Sequence, residues 1–173
     1  DQYKIVKKYI EGGNTVKGFH NLAFFIAKRY KSKKSLIIMF NNLVLENGLL
    51  DYEILDEYEK LGFHKKINKL MMSLNVRDIN LVKMEVISLR YDDNALQDIL
   101  VEKYKETSSE KLQIKLLENT IKYENIKLLH KLIHTGMILK PKVLESLKSM
   151  AKNQANDECI IYLNEMYHED YWY

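Results

Sequence analysis

One cysteine, one proline and six glycines in 173 residues leave little with which to staple, kink or turn this chain. The lone thiol, Cys159, excludes an intramolecular disulfide and any zinc site built from several cysteines. It fits a reducing compartment, so an intracellular setting, cytoplasm or nucleus, is expected. Scarce proline and glycine remove the punctuation that strands and hairpins need, which favours helices with short connections. No apolar run reaches about 18 residues, so no membrane span is expected. Neither sign of charge dominates: 27 basic and 24 acidic side chains leave +3, too little for a general attraction to nucleic acid or membrane. The chain opens on Asp1 and not methionine, so processing or truncation upstream is expected.

What the chain has is helical periodicity. A hydrophobic content of 46% supports a continuous core, and the length suits a single domain over residues 1–173. The clearest stretch runs from Leu112 to Met137. Leu112, Leu116, Leu117, Thr120 and Ile121 recur at helical spacing, a polar break follows at Tyr123, Glu124 and Asn125, and Ile126, Leu128, Leu129, Leu132 and Ile133 resume it. Gly136 stands where a C-terminal cap is expected. Neither half is long enough to persist alone in water, so the two form a helical hairpin.

Earlier segments read the same way. Residues 1–11 predict a helix ended by Gly12 and Gly13, and a second carries Phe19, Ala23, Phe24 and Ala27 on one face up to Tyr30. A third starts at Ser35, and its apolar run from Leu36 to Phe40 predicts the most buried helix. A fourth, from Asp51 to Gly62, places Leu55, Tyr58 and Leu61 inward and Asp56, Glu57 and Glu59 toward solvent. No segment alternates with period two, so strands are excluded.

The second half repeats itself. Leu96 and Leu100 align with Leu128 and Leu132 at an interval of 32 residues, and these with Cys159 and Leu163 at 31. Helix pairs recurring at such an interval complete a core by stacking on their neighbours. On these residues, Lys115 to Met137 resembles an ankyrin repeat, with Leu117 in the opening turn, Thr120 and Ile121 at the usual small positions, Leu128, Leu129, Leu132 and Ile133 on the second helix, and Gly136 at the close. Asn153 to Met166 and Arg90 to Val101 are similar to two further, weaker copies. The resemblance implies ankyrin-like helix pairs over 90–173 beside an irregular helical half at 1–89, where a HEAT-like or armadillo-like array fits equally well. Degenerate repeats of this composition also resemble those of large DNA viruses and intracellular parasites that bind host proteins, which implies a host-directed role.

Chemistry is thinly marked. His130 and His134 have the i, i+4 spacing of a zinc pair, but Lys131 stands where a metalloprotease needs glutamate, and two histidines fill half a tetrahedral shell. No metal or cofactor is therefore expected. Cys159 lies in an apolar helical pattern and reads as core, and His20 and His64 have no partner at any telling spacing. The carboxylates Asp51, Glu53, Asp56 and Glu57 lack calcium-loop spacing and read as helix-start charges.

Two clusters remain. Residues 1–80 hold 14 basic and 9 acidic side chains against 13 and 15 in the rest, and Lys28, Arg29, Lys31, Lys33 and Lys34 surround Tyr30 in one turn. Such a turn reads first as a solvated loop and second as a contact for phosphates and a stacked base. Tyr167, Tyr171, Trp172 and Tyr173 concentrate aromatics at the end of the chain, where they dock back or reach a partner. The expected fold is all-α, a curved stack of short antiparallel helical hairpins, an α-solenoid. Its expected work is non-catalytic binding of another protein as scaffold, adaptor or host-directed module. Nucleic-acid binding through residues 28–34 is the alternative, and an enzyme with a site assembled from distant residues the third.

Overall fold

Helix starts and stops account for most of the architecture. The computed structural model describes residues 2–12, 24–43, 52–106, 109–135 and 139–168, and among the described residues every regular element is helical. The chain divides into two compact units, Asp1–Asp51 and Tyr52–Tyr173.

In the first unit, α1 (Gln2–Glu11) packs against α3 (Lys33–Leu43), and α2 is helical over 24–29. Val6, Phe24, Ala27, Leu36, Met39 and Phe40 are buried. The apolar run at 36–40 does not make α3 buried all round. Its 3.6-residue period turns Leu36, Met39 and Phe40 inward and leaves Ile37 and Ile38 half-buried.

The second unit comprises α4 (Tyr52–Lys60), α5 (His64–Ser73), a 3₁₀ turn (Val76–Asp78), α6 (Leu81–Arg90), α7 (Asn94–Lys105), α8 (Glu110–Lys122), α9 (Ile126–Ile133), α10 (Pro141–Asn153) and α11 (Asp157–His168). Helices adjacent in sequence pack in pairs: α4 with α5, α6 with α7, α8 with α9 and α10 with α11. The pairs also touch in order, α4 to α6 to α8 to α10 along one series and α5 to α7 to α9 along the other. Leu96, Leu100, Leu128, Leu132, Cys159 and Leu163, aligned by the sequence interval, are all buried. Exposed ion pairs bridge successive pairs: Arg90 holds Asp56 through both carboxylate oxygens, Lys131 holds Asp98, and Lys140 holds Glu110.

One turn joins the two helices of each pair, and it recurs across both units. Lys31, Gly62, Asp92, Glu124 and Ala155 all have positive φ, between 49° and 80°, at intervals of 31, 30, 32 and 31 residues. At each, two backbone bonds close the preceding helix; in the Glu124 turn, the Asn125 N–H donates to the Thr120 carbonyl at 2.9 Å and the Glu124 N–H to that of Ile121 at 3.0 Å. This is the Schellman closure, which satisfies carbonyls that a helix end leaves orphaned. The next residue caps the following helix: Asp93, Asn125 and Asn156 accept from the N–H groups of Leu96, Leu128 and Cys159. Phe63 takes that place after Gly62, offers no side-chain cap, and packs edge-on against Tyr58 at 5.0 Å. The turns at Lys31 and Gly62 lie where the sequence shows no repeat.

Left-handed backbone costs an L-residue roughly 1–2 kcal/mol, part of which glycine returns through its larger unfolded-state entropy. Glu124→Gly is therefore expected to stabilise the protein by up to about 1 kcal/mol. Gly62→Ala should destabilise it by a similar amount through conformation alone, since an added Cβ there meets nothing within 4 Å. Urea unfolding of both variants checks the pair of signs.

Candidate functional site

Glu59 is a buried acid at a turn position that Lys28 and Lys152 fill in the first and last of the five turns. Counting back from the left-handed residue, it occupies the position that Leu89 and Ile121 fill in the next two turns, and both of those are buried. The sequence pattern turned Glu59 to solvent, but it follows buried Leu55 by one helical turn and enters the core beside it, with 1% of the residue exposed. Asp56, expected in solvent as well, is part-covered and paired with Arg90.

A buried carboxylate needs partners, and two turns supply them. His64, the half-exposed first residue of α5, donates from Nδ1 to Glu59 Oε1 at 2.5 Å. Asp93, the cap of α7, brings Oδ2 to 3.9 Å from the same nitrogen. Its Oδ1 accepts from the Leu96 N–H at 2.9 Å and from Asn68 Nδ2 at 3.5 Å, which holds the carboxylate in place. One donor atom from each of Glu59, His64 and Asp93 lies within 4.8 Å of the others. Glu59 Oε2 and Asp93 Oδ2 are buried without a hydrogen-bond partner among the described residues. Burial raises the Glu59 carboxyl above its ordinary range; the His64 contact opposes this and the neighbouring Asp93 adds to it. Sequence reasoning missed all three residues. The one available signal was an acid and a histidine placed across Gly62, at a spacing no helix face shares.

The residues nominated from sequence stand elsewhere. Lys28, Arg29, Lys31, Lys33 and Lys34 surround the turn from α2 to α3; Arg29, Lys31, Lys33 and Lys34 are exposed, Lys28 is half-buried, and Tyr30 among them is 66% exposed. Tyr171, Trp172 and Tyr173 lie outside the described residues, as do Gly136 and His20, and Tyr167 is described only as backbone within α11. His130 and His134 are 6.2 Å apart between ring centroids, and the His130 ring stacks on Tyr162 of α11 at 3.6 Å. Desolvation and the neighbouring His134 lower the His130 pKa, against Glu165. Cys159 is fully buried, and burial pushes its thiol up, away from the reactive thiolate.

Two further polar features sit between pairs. Glu85, buried in α6, accepts from Asn119 Nδ2 of α8 at 2.8 Å, leaves Oε1 without a partner among the described residues, and borders a cavity of about 10 Å³ walled by Leu81, Leu100, Leu116, Leu128 and Leu132. That space suits a single water. A shallow groove of about 280 Å³ runs between α4 and α6, with Tyr52 under the Lys83 ammonium and the Arg90–Asp56 pair at its other end. Among the described residues no helix is long and apolar enough to cross a membrane. Comparison with known proteins finds no matching family model, curated protein or solved structure.

Proposed function

We propose that Tyr52–Tyr173 is a curved stack of short antiparallel helical hairpins, an α-solenoid of degenerate ankyrin-like repeats, and that the chain is a non-catalytic protein–protein interaction module working inside the cell. The observation that carries this reading is the order of the helix contacts. First helices touch first helices and second helices touch second helices, in sequence order, around one repeated turn. Elements that touch mainly their neighbours spread their surface along an axis, which favours binding an extended partner face. The groove between α4 and α6 is one such stretch, combining an aromatic ring, a fixed arginine and apolar walls from Val82, Val86 and Ile87.

The test is affinity capture of the tag-bearing chain from its native cell, with and without nuclease, followed by reconstitution from purified components. A protein that survives nuclease and rebinds the purified chain at fixed stoichiometry supports the module. Association that nuclease abolishes, and that changing Lys31, Lys33 and Lys34 together to glutamine weakens with a flatter salt dependence, replaces it with the nucleic-acid reading.

A further inference from the structure

We propose that Glu59, His64 and Asp93 form a binding site for one divalent transition-metal ion, with zinc the ion it fits best. The three side chains offer two carboxylate oxygens and one imidazole nitrogen, a donor set suited to zinc and poorly matched to magnesium or calcium, which take oxygen shells of six or more. Their donor atoms already lie within 4.8 Å of one another. Atoms that share a tetrahedral ion at about 2.0–2.2 Å sit roughly 3.4 Å apart, so small side-chain rotations that part the 2.5 Å contact between His64 and Glu59 and draw Asp93 in from 3.9 Å form the site.

An independent observation points to a ligand. Glu59 is almost wholly buried, yet among the described residues its Oε2 has no hydrogen-bond partner, and Asp93 Oδ2 has none either. Two carboxylate oxygens are both acceptors, so neither can satisfy the other unless a proton or a cation lies between them. The cost of placing Glu59 where the next two turns carry Leu89 and Ile121 is offset when an ion takes those lone pairs. Asn68, bonded to Asp93 Oδ1, supplies the outer contact that orients a ligating carboxylate. On binding, the Nδ1 proton that His64 shares with Glu59 leaves to solvent, Nδ1 takes the ion, and the half-exposed side of the ring leaves the fourth position open to water. The ion would join the end of α4, the start of α5 and the cap of α7, fastening two successive pairs.

The test is calorimetric titration of the full chain, purified without a histidine tag, with zinc chloride. Three variants accompany it. His64→Ala removes a half-exposed ligand, Asp93→Asn keeps an acceptor that caps α7 while withdrawing the carboxylate, and His130→Gln controls for the other histidine pair. The expected result is one zinc per chain, bound at least about tenfold more weakly by His64→Ala and by Asp93→Asn, unchanged in His130→Gln, and not matched by magnesium. Helical circular dichroism confirms that each variant is folded, and either ligand variant alone decides the outcome if the other is not. Absence of saturable zinc binding by the parent overturns the proposal, as does binding that His64→Ala and Asp93→Asn leave intact or that His130→Gln abolishes.

Discussion

Leu128→Ala is expected to lower stability by about 2–5 kcal/mol in chemical denaturation, with Leu132→Ala close behind. Leu128 is 2% and Leu132 3% exposed, both on α9. Both also line the small void beside Glu85, so the space vacated by either side chain joins one that already exists. The penalty for a truncated core side chain grows with the cavity left behind, which sets these two above an average leucine. Ile161 of α11, 57% exposed, is the matched control, and its replacement by alanine should stay within about 0.5 kcal/mol. A loss below that value at Leu128 would contradict its place in the core.

Glu85 carries the second large effect, and its sign depends on pH. Burial raises its carboxyl well above the ordinary range, against the Asn119 hydrogen bond and the charge of Lys115. The folded protein therefore keeps a proton that the unfolded chain gives up. The corresponding stability is fully present below the unfolded value, near pH 4, and is lost as pH rises through the folded one. Glu85→Gln, which retains an acceptor for Asn119, should match the parent near pH 4 and exceed it at neutral pH, with a melting-temperature gap that widens between the two. Asn119→Ala removes the donor and should cost about 1–3 kcal/mol at neutral pH, less in the Glu85→Gln background. Parallel melting curves for parent and Glu85→Gln across that range would remove the argument.

The sequence carried the helices better than it carried the site. Periodicity located the break at Tyr123–Asn125, and the interval of about 32 residues picked out Leu96, Leu128 and Cys159 as equivalent buried positions, because apolar spacing and burial have the same cause. The turns at Lys31 and Gly62 are legible as turns but not as copies of the later ones, since no apolar interval marks them and the left-handed residue changes from glycine to Lys31, Asp92, Glu124 or Ala155 where two backbone bonds hold it. Glu59 was misplaced for a related reason. Charge argues for solvent, and only its position one turn beyond Leu55, with His64 and Asp93 arriving from later elements, decides otherwise. A cluster of that kind is assembled by contact between turns, and residue spacing along one helix cannot express it.

The bridges between successive pairs bear on accuracy of assembly more than on its strength. Arg90–Asp56, Lys131–Asp98 and Lys140–Glu110 join residues 34, 33 and 30 positions apart, all at least partly in solvent, where such pairs contribute at most about 1 kcal/mol each. Apolar faces built from interchangeable leucines and isoleucines tolerate a slide of one helical turn against a neighbour with little loss of contact. A charge that meets its opposite in one alignment must find another in the next: four residues from Asp98 and Glu110 stand Glu102 and Glu106, so Lys131 and Lys140 keep an acid within reach, whereas four residues either side of Asp56 stand Tyr52 and Lys60. Arg90–Asp56, held through both carboxylate oxygens, is thus the bridge that tells one alignment from its neighbours: salt would remove little of the total stability, but it would blur that one choice.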